Sequence, residues 1–392
     1  MKKGVLLVPF SLALVVIGLG LSGAGSIIPE IAGHFSIPYA SAGRVFLFHG
    51  LGYFVVLILG GILGDFVFRG TLLRLGFVLA TLGFLGIALS SSFSLLLLAF
   101  LLVGVGVGFV DCMVNPVAQS IFVERPGGTL NIIHAFFGLG SLLAPRLYAV
   151  LHGRGYTFRD LYTLIALFSG ASALLFFLPF IPKSAQSASK GAIFSAFTHR
   201  AFWFLGCTML CYAASVSTLN GWLVTYLKEE GLSEAKGAIF LSYFWLGLFF
   251  GRLVLASFSE RLGYLTLIRL NALGGILGTG LFAAFGVHPF LAPVLLFTSG
   301  FLLSTLIPLT ITYALLAFPE TSSTASGWVL FNNGLGTFLF PWLFGLAGGR
   351  FGFRAVFIAI PFALFGVFLF QSLLVALERR NSEKKGAVAR VP

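Results

Sequence analysis

Apolar residues run along this chain in blocks of about twenty, separated by short polar gaps. A helix rises 1.5 Å per residue, so a block of that length crosses the roughly 30 Å hydrocarbon layer of a bilayer. The pattern predicts twelve helical spans, numbered 1–12, at 5–28, 42–64, 71–91, 94–118, 131–151, 160–181, 201–227, 237–257, 264–286, 290–316, 326–348 and 354–377. The strict alternation of a membrane β-barrel strand does not occur. The first block follows Met1-Lys2-Lys3 as a signal peptide would. It is too long for one and no small-residue cleavage site leads into a soluble domain, so it is taken as span 1. The fold class expected is all-α, polytopic, in a membrane.

Composition supports lipid as the solvent. Of 392 residues, 58% are hydrophobic and 9% charged, against about 45–50% and about 25% in soluble domains. The mean hydropathy is +1.03. A net charge of +12 then has a topological meaning, because Lys and Arg collect in cytoplasmic loops. With both termini in the cytoplasm, 16 of them fall on that side and 7 outside. We therefore expect a multi-pass protein of the cell (inner or plasma) membrane with both ends cytoplasmic, the lipid bilayer as a partner and no nucleic acid. Cys112, Cys207 and Cys211 all lie in apolar blocks and read as small buried side chains.

The chain repeats itself. FGLGSLLAP (137–145) in span 5 has a counterpart in NGLGTFLFP (333–341) in span 11, 196 residues on. GGILGDFVFRG (60–70) after span 2 is echoed by GRLVLASFSERLG (251–263) after span 8, and Pro116 in span 4 by Pro308 in span 10. Three matches in one order indicate a duplication. The longest polar gap, 182–200, is rich in Ser, Ala and Lys and falls near the midpoint. The expected organisation is a six-helix half at 1–181, a cytoplasmic linker at 182–200, a second six-helix half at 201–378 and a cytoplasmic tail at 379–392.

Twelve spans in two similar halves fit a transporter with its site between parallel repeats. The segment after span 2 resembles the loop signature of the major facilitator superfamily, Gly-x-Leu-x-Asp-x-x-Gly-Arg, through Gly61, Leu63, Asp65 and Arg69, with Phe68 in place of the second glycine. The copy after span 8 resembles it through Gly251, Arg252, Glu260, Arg261 and Gly263. That resemblance implies two pseudo-symmetric six-helix halves. It also implies a gating role for Asp65, Arg69, Arg252, Glu260 and Arg261, by charge pairs and helix-end contacts. The plain alternative is an interfacial salt bridge worth under about 1 kcal/mol.

Eleven of the twelve acidic residues fall at span ends, in loops or in the tail, and Asp111 alone lies deep inside a span. A carboxylate there costs about 2.5–3.5 kcal/mol on insertion scales, so it should face a polar cavity and not lipid. Asn115 and Gln119 follow at i+4 and i+8, on the same helical stripe. Burial favours the protonated form of a carboxyl, so such a group can take a proton from one side and release it to the other. The structural alternative pairs Asp111 with Arg146 or hydrogen-bonds it to His49 or His134. In span 5, Asn131 and His134 share a face with Gly138, where backbone can come close to a neighbour or a ligand.

Asp111-x-x-x-Asn115-Pro116 followed by Asn131-x-x-His134-x-x-x-Gly138-x-Gly140 resembles the fucose permease group, the fucose–galactose–glucose:proton symporters with sodium-coupled glucose relatives. Span 7 adds Tyr212, Gly221, Trp222 and Tyr226 of that group's pattern. Gly25 and Val216 stand where the group carries acids, which leaves the coupling to Asp111. The resemblance implies uptake of a sugar or similar small polar solute by alternating access, with H+ as the coupled ion. No cofactor beyond that ion is expected, and Na+ is the alternative, since Asp111 and Asn115 offer oxygen ligands.

Sugar hydroxyls need directed donors and acceptors, and the sugar's apolar face stacks on an aromatic ring. Asn115, Gln119, Asn131, His134, Asn220, Trp222, Asn332 and Asn333 are the candidate solute contacts. For Trp222 the bland alternative is an anchor at the membrane interface. The sequence holds neither a phosphate-binding G-x-x-x-x-G-K-[ST] loop nor an H-E-x-x-H zinc pattern, so neither an ATP-driven pump nor an enzyme is expected. The rivals are export of lipophilic drugs or lipids by proton exchange, and a transporter-like sensor. One chain houses a whole pathway, so a monomer is the expected working unit.

Overall fold

The computed structural model describes residues 3–388 apart from 38, 182–189, 233, 286, 287 and 289. The linker expected at 182–200 thus lies outside the described residues at 182–189, as does the end of the tail at 389–392. Among the described residues every regular element is a helix, as lipid requires: each backbone N–H and C=O is satisfied within its own segment. Twelve of the helices are long and apolar enough to cross a membrane: Val5–Ala24, Arg44–Phe66, Arg69–Leu89, Phe93–Ile121, Pro126–His152, Phe158–Leu175, Arg200–Glu229, Ile239–Leu262, Tyr264–Phe285, Leu291–Ala317, Pro319–Phe351 and Phe353–Arg380. They are spans 1–12 in order.

Helix ends have identifiable causes. The Ser92 hydroxyl accepts from Leu95 N and starts span 4. The Asp160 carboxylate accepts from the Thr157 backbone N–H and hydroxyl at the start of span 6. Span 8 ends at Gly263, which takes φ +78°, a conformation that suits glycine. This explains the glycine that closes the second loop motif. Span 10 is interrupted at Ser304 and Thr305, four and three residues ahead of Pro308. Span 11 begins earlier than hydropathy predicts, because its first turns carry the polar residues Thr321, Ser322, Ser323, Thr324 and Ser326.

The chain packs as two compact units. One holds Met1–Ile193 together with Phe318–Trp328, and the other holds Phe194–Ala317 with Val329–Pro392. Within the first, spans 1 and 5, 2 and 4, and 3 and 4 lie backbone to backbone. A Cβ on Gly140 would strike the Val15 carbonyl oxygen of span 1, and one on Gly104 would strike the His49 carbonyl oxygen of span 2. Small residues at such crossings let helices in lipid approach closely. The second unit does the same: a Cβ on Gly336 would meet the Leu210 carbonyl oxygen of span 7, and one on Gly300 the Phe244 carbonyl oxygen of span 8. Both glycine pairs, Gly140 with Gly336 and Gly104 with Gly300, are 196 residues apart. The sequence repeat is therefore a repeat of helix crossings.

Candidate functional site

In the first unit the polar residues of spans 2, 4 and 5 converge. Asp111, 6% exposed, accepts a hydrogen bond from the Tyr53 hydroxyl at 2.5 Å. One turn along span 4, Asn115 donates its amide to the Asp111 carbonyl oxygen at 2.9 Å, and its Oδ1 lies 2.9 Å from His134 Nε2. With an amide oxygen opposite it, that ring nitrogen carries the proton and donates. Asn115, His134 and Asn131 are all buried, and the Asn131 amide donates to the Gly127 carbonyl oxygen at 3.1 Å. Gln119 is half-buried, and its Oε1 has no hydrogen-bond partner among the described residues. A Cβ on Gly138 would meet nothing within 4 Å, so span 5 borders open space one turn beyond His134.

Neither Arg146 nor His134 is the hydrogen-bonding partner of the Asp111 carboxylate; Tyr53 is. Arg146 is exposed. His49 lies one helical turn before Tyr53, with its ring stacked on the tyrosine at 6.4 Å between centroids. Its Nε2 is buried with no hydrogen-bond partner among the described residues.

The loop motif of the first unit is a helix cap. Asp65, fully buried, accepts from Ser323 N at 2.9 Å and Thr324 N at 2.8 Å. Its other neighbour is Arg69, paired to it at 3.1 Å. Arg69 also donates to the hydroxyls of Ser323 at 2.7 Å and Ser322 at 2.6 Å. A carboxylate against the first amides of a helix satisfies orphan donors and complements the helix dipole, an effect of about 0.3–1 kcal/mol when exposed and up to about 2 when sheltered. The motif's glycine is needed for the approach, since a Cβ on Gly61 would lie 3.0 Å from the Ser323 carbonyl oxygen.

In the second unit Arg252 is buried inside span 8 and donates to the Ser304 carbonyl oxygen at 3.2 Å. Pro308 has no N–H to offer that carbonyl four residues back, so the guanidinium replaces the missing helix bond. Tyr212 of span 7 lies beside Arg252. Glu260 and Arg261 lie on the short helix Ser259–Leu262, with Arg261 exposed. Asn220 accepts from the Trp245 indole at 2.9 Å. Trp222 spends its indole N–H on the Pro341 carbonyl oxygen at 2.8 Å and packs its ring on Phe353 at 4.7 Å. Asn332 is buried and Asn333 half-buried on span 11.

Sequence reasoning missed Tyr53, the hydroxyl run Ser322–Thr324, and Tyr212 as a neighbour of Arg252. A signal existed for two of them. Tyr53 stands four residues after His49 in an otherwise apolar block, and Pro319 followed by Ser and Thr is a helix-start pattern.

Twelve apolar spans, two units built on the same helix crossings and a buried polar cluster define a polytopic helical transporter. Residues 10–341 match the Major Facilitator Superfamily, and the chain belongs to that family. Among curated proteins it is similar to the Protein TsgA homolog of Enterobacter sp. (strain 638), 25% identical over 320 residues that make up 80% of each chain. It is also 25% identical to Protein TsgA of Salmonella typhi over 231 residues, 58% of each chain, and to Protein TsgA of Escherichia coli O1:K1 over 259 residues, 64% of each. The chain thus spans less than two thirds of the latter two relatives. Among solved structures it is similar to the major facilitator transporter FucP in the outward conformation, with a TM-score of 0.81 and 17% identity. That match covers 95% of this chain and 99% of the other. A variant of the E. coli fucose:proton symporter FucP gives a TM-score of 0.80 at the same identity and coverage. At 17% identity the likeness is one of fold.

Proposed function

We propose that this protein is a secondary transporter that takes up a sugar or similar small polar solute by alternating access, driven by H+ through Asp111. The observation that carries the reading is the buried Asp111 carboxyl in mid-span, flanked by Asn115 and His134 in one hydrogen-bonded cluster. A buried acid in lipid is costly enough to mark an ion or solute path. The fold it shares with a fucose:proton symporter supports the same choice. The solute contacts proposed are Asn115, Gln119, Asn131 and His134 in the first unit and Asn220, Asn332 and Asn333 in the second, with Trp222 as an aromatic wall.

Asp65 and Arg69, bonded to Ser322–Thr324, are proposed as a gate latch on the cytoplasmic side. Arg252, Glu260 and Arg261 are its counterparts. The protein is proposed to sit in the cell (inner or plasma) membrane as a monomer, both termini cytoplasmic, with no cofactor beyond the coupled ion.

The test is uptake into proteoliposomes of a panel of labelled hexoses and pentoses, under an imposed proton gradient and, separately, a sodium gradient. Accumulation driven by the proton gradient, lost in Asp111→Asn while counterflow exchange persists, is the expected result. Accumulation under sodium alone replaces the ion. No uptake of any sugar under either gradient overturns the sugar reading and favours export of lipophilic compounds.

A further inference from the structure

Asp111 has a ready-made ligand in the protein itself. The Tyr53 hydroxyl donates to its carboxylate across 58 residues of sequence, from span 2 to span 4. The bond is held in place by the tightest crossing in that part of the molecule: Gly104 of span 4 sits against the His49 carbonyl oxygen, and Gly108 lies 3.1 Å, by its would-be Cβ, from the Tyr53 carbonyl oxygen. Spans 2 and 4 therefore set the separation of phenol and carboxyl by backbone contact and not by flexible side chains. Beside the phenol, His49 stacks on the Tyr53 ring and keeps a buried Nε2 that has no hydrogen-bond partner among the described residues. A buried unsatisfied polar atom costs about 1–3 kcal/mol, and it marks a place where a further hydrogen-bonding group is accommodated.

A hydroxyl that donates to a carboxylate stabilises the ionised form, and hydrogen bonds to charged groups are the strong ones. A protonated carboxyl has lost the negative charge that makes this bond strong. The phenol is also the chemical equivalent of one hydroxyl of a polyol. From this geometry we propose that Tyr53 is a positioning residue for the coupling carboxyl. Its hydroxyl holds the Asp111 carboxyl in place, and it is displaced when a proton or a solute hydroxyl takes its place. The inference rests on Asp111 being the coupling acid. The phenol keeps its own proton throughout, and the proton that neutralises Asp111 arrives from the aqueous phase.

Infrared difference spectroscopy on the purified full-length protein tests the bond without any solute. The carboxyl band that disappears in Asp111→Asn belongs to Asp111, and in Tyr53→Phe it moves; an unmoved band overturns the proposal. Proteoliposomes with labelled L-fucose as the probe then test its consequence. Tyr53→Phe keeps the ring, so a packing role alone predicts wild-type transport. We expect it to lose gradient-driven accumulation by about tenfold or more while counterflow exchange stays within about twofold, the scale of one charged hydrogen bond. Full accumulation in Tyr53→Phe beside a deficient Asp111→Asn overturns the role of Tyr53 and leaves Asp111 as the coupling acid. Full accumulation in Asp111→Asn overturns both. Loss of exchange together with accumulation in Tyr53→Phe overturns positioning in favour of a role in folding or translocation.

Discussion

Asn115 uses both ends of its amide, and this makes it the member of the cluster easiest to test in isolation. Its nitrogen takes the Asp111 carbonyl oxygen and its oxygen takes His134 Nε2, each at 2.9 Å. Asn115→Leu removes the acceptor in front of a buried histidine donor, which costs about 1–3 kcal/mol. The expected outcome is a lower melting temperature of the detergent-solubilised protein, with Asn115→Asp, which keeps an acceptor, losing less. Equal melting temperatures for Leu and Asn at position 115 would show that His134 does not depend on this bond. Asp111 and Asn115 were legible in the sequence because charge and amide are rare in apolar runs and a spacing of four puts them on one stripe, and His134 because it stands three residues after Asn131 on one face of span 5. The pairing of Tyr53 with Asp111 was not, since a tyrosine in a span is most simply core, and periodicity along one helix carries no information about which helix faces it. The same gap hid the Arg252 contact, where a proline in span 10 creates the orphan carbonyl that a cation in span 8 then takes.

Helix crossings are where the repeat acquires physical meaning. Gly140 and Gly336 occupy matching places in G-L-G motifs, and each presses against a carbonyl oxygen of its own unit's first span, at Val15 and Leu210. Gly138, two residues from Gly140, faces open space. Gly140→Val and Gly336→Val should each force the crossing helices apart, an overpacking cost of about 1–3 kcal/mol or more, while Gly138→Ala should be neutral for stability. Thermal unfolding of the three variants checks this, and a Gly138→Ala as unstable as Gly140→Val would mean that the open space is occupied. The twelve spans themselves were legible from block length alone, because lipid enforces a minimum run of apolar residues. Their ends were less so. The start of span 11 is built from Thr and Ser that hydropathy discards, and those residues supply the amides and hydroxyls on which Asp65 and Arg69 close.

At the scale of the molecule, an even number of spans puts both termini on one side, and the basic residues decide which. One member of that count lies away from the loops: Arg252 is buried against Ser304 and so contributes to packing instead of to the loop charge. The remaining bias is still wide, with 15 basic residues on one side against 7 on the other. A phosphatase reporter that works only outside the cytoplasm should therefore be active when fused after Arg154, in the turn between spans 5 and 6, and inactive when fused at the C-terminus. A reporter that fluoresces only in the cytoplasm should give the opposite pattern. If both reversed, the capped loop carrying Asp65 and Arg69 would lie on the outer face. The same hydrogen bonds to Ser322–Thr324 would then close the external side, and the gate assignment would invert while the Asp111 cluster, set in mid-span, kept its place.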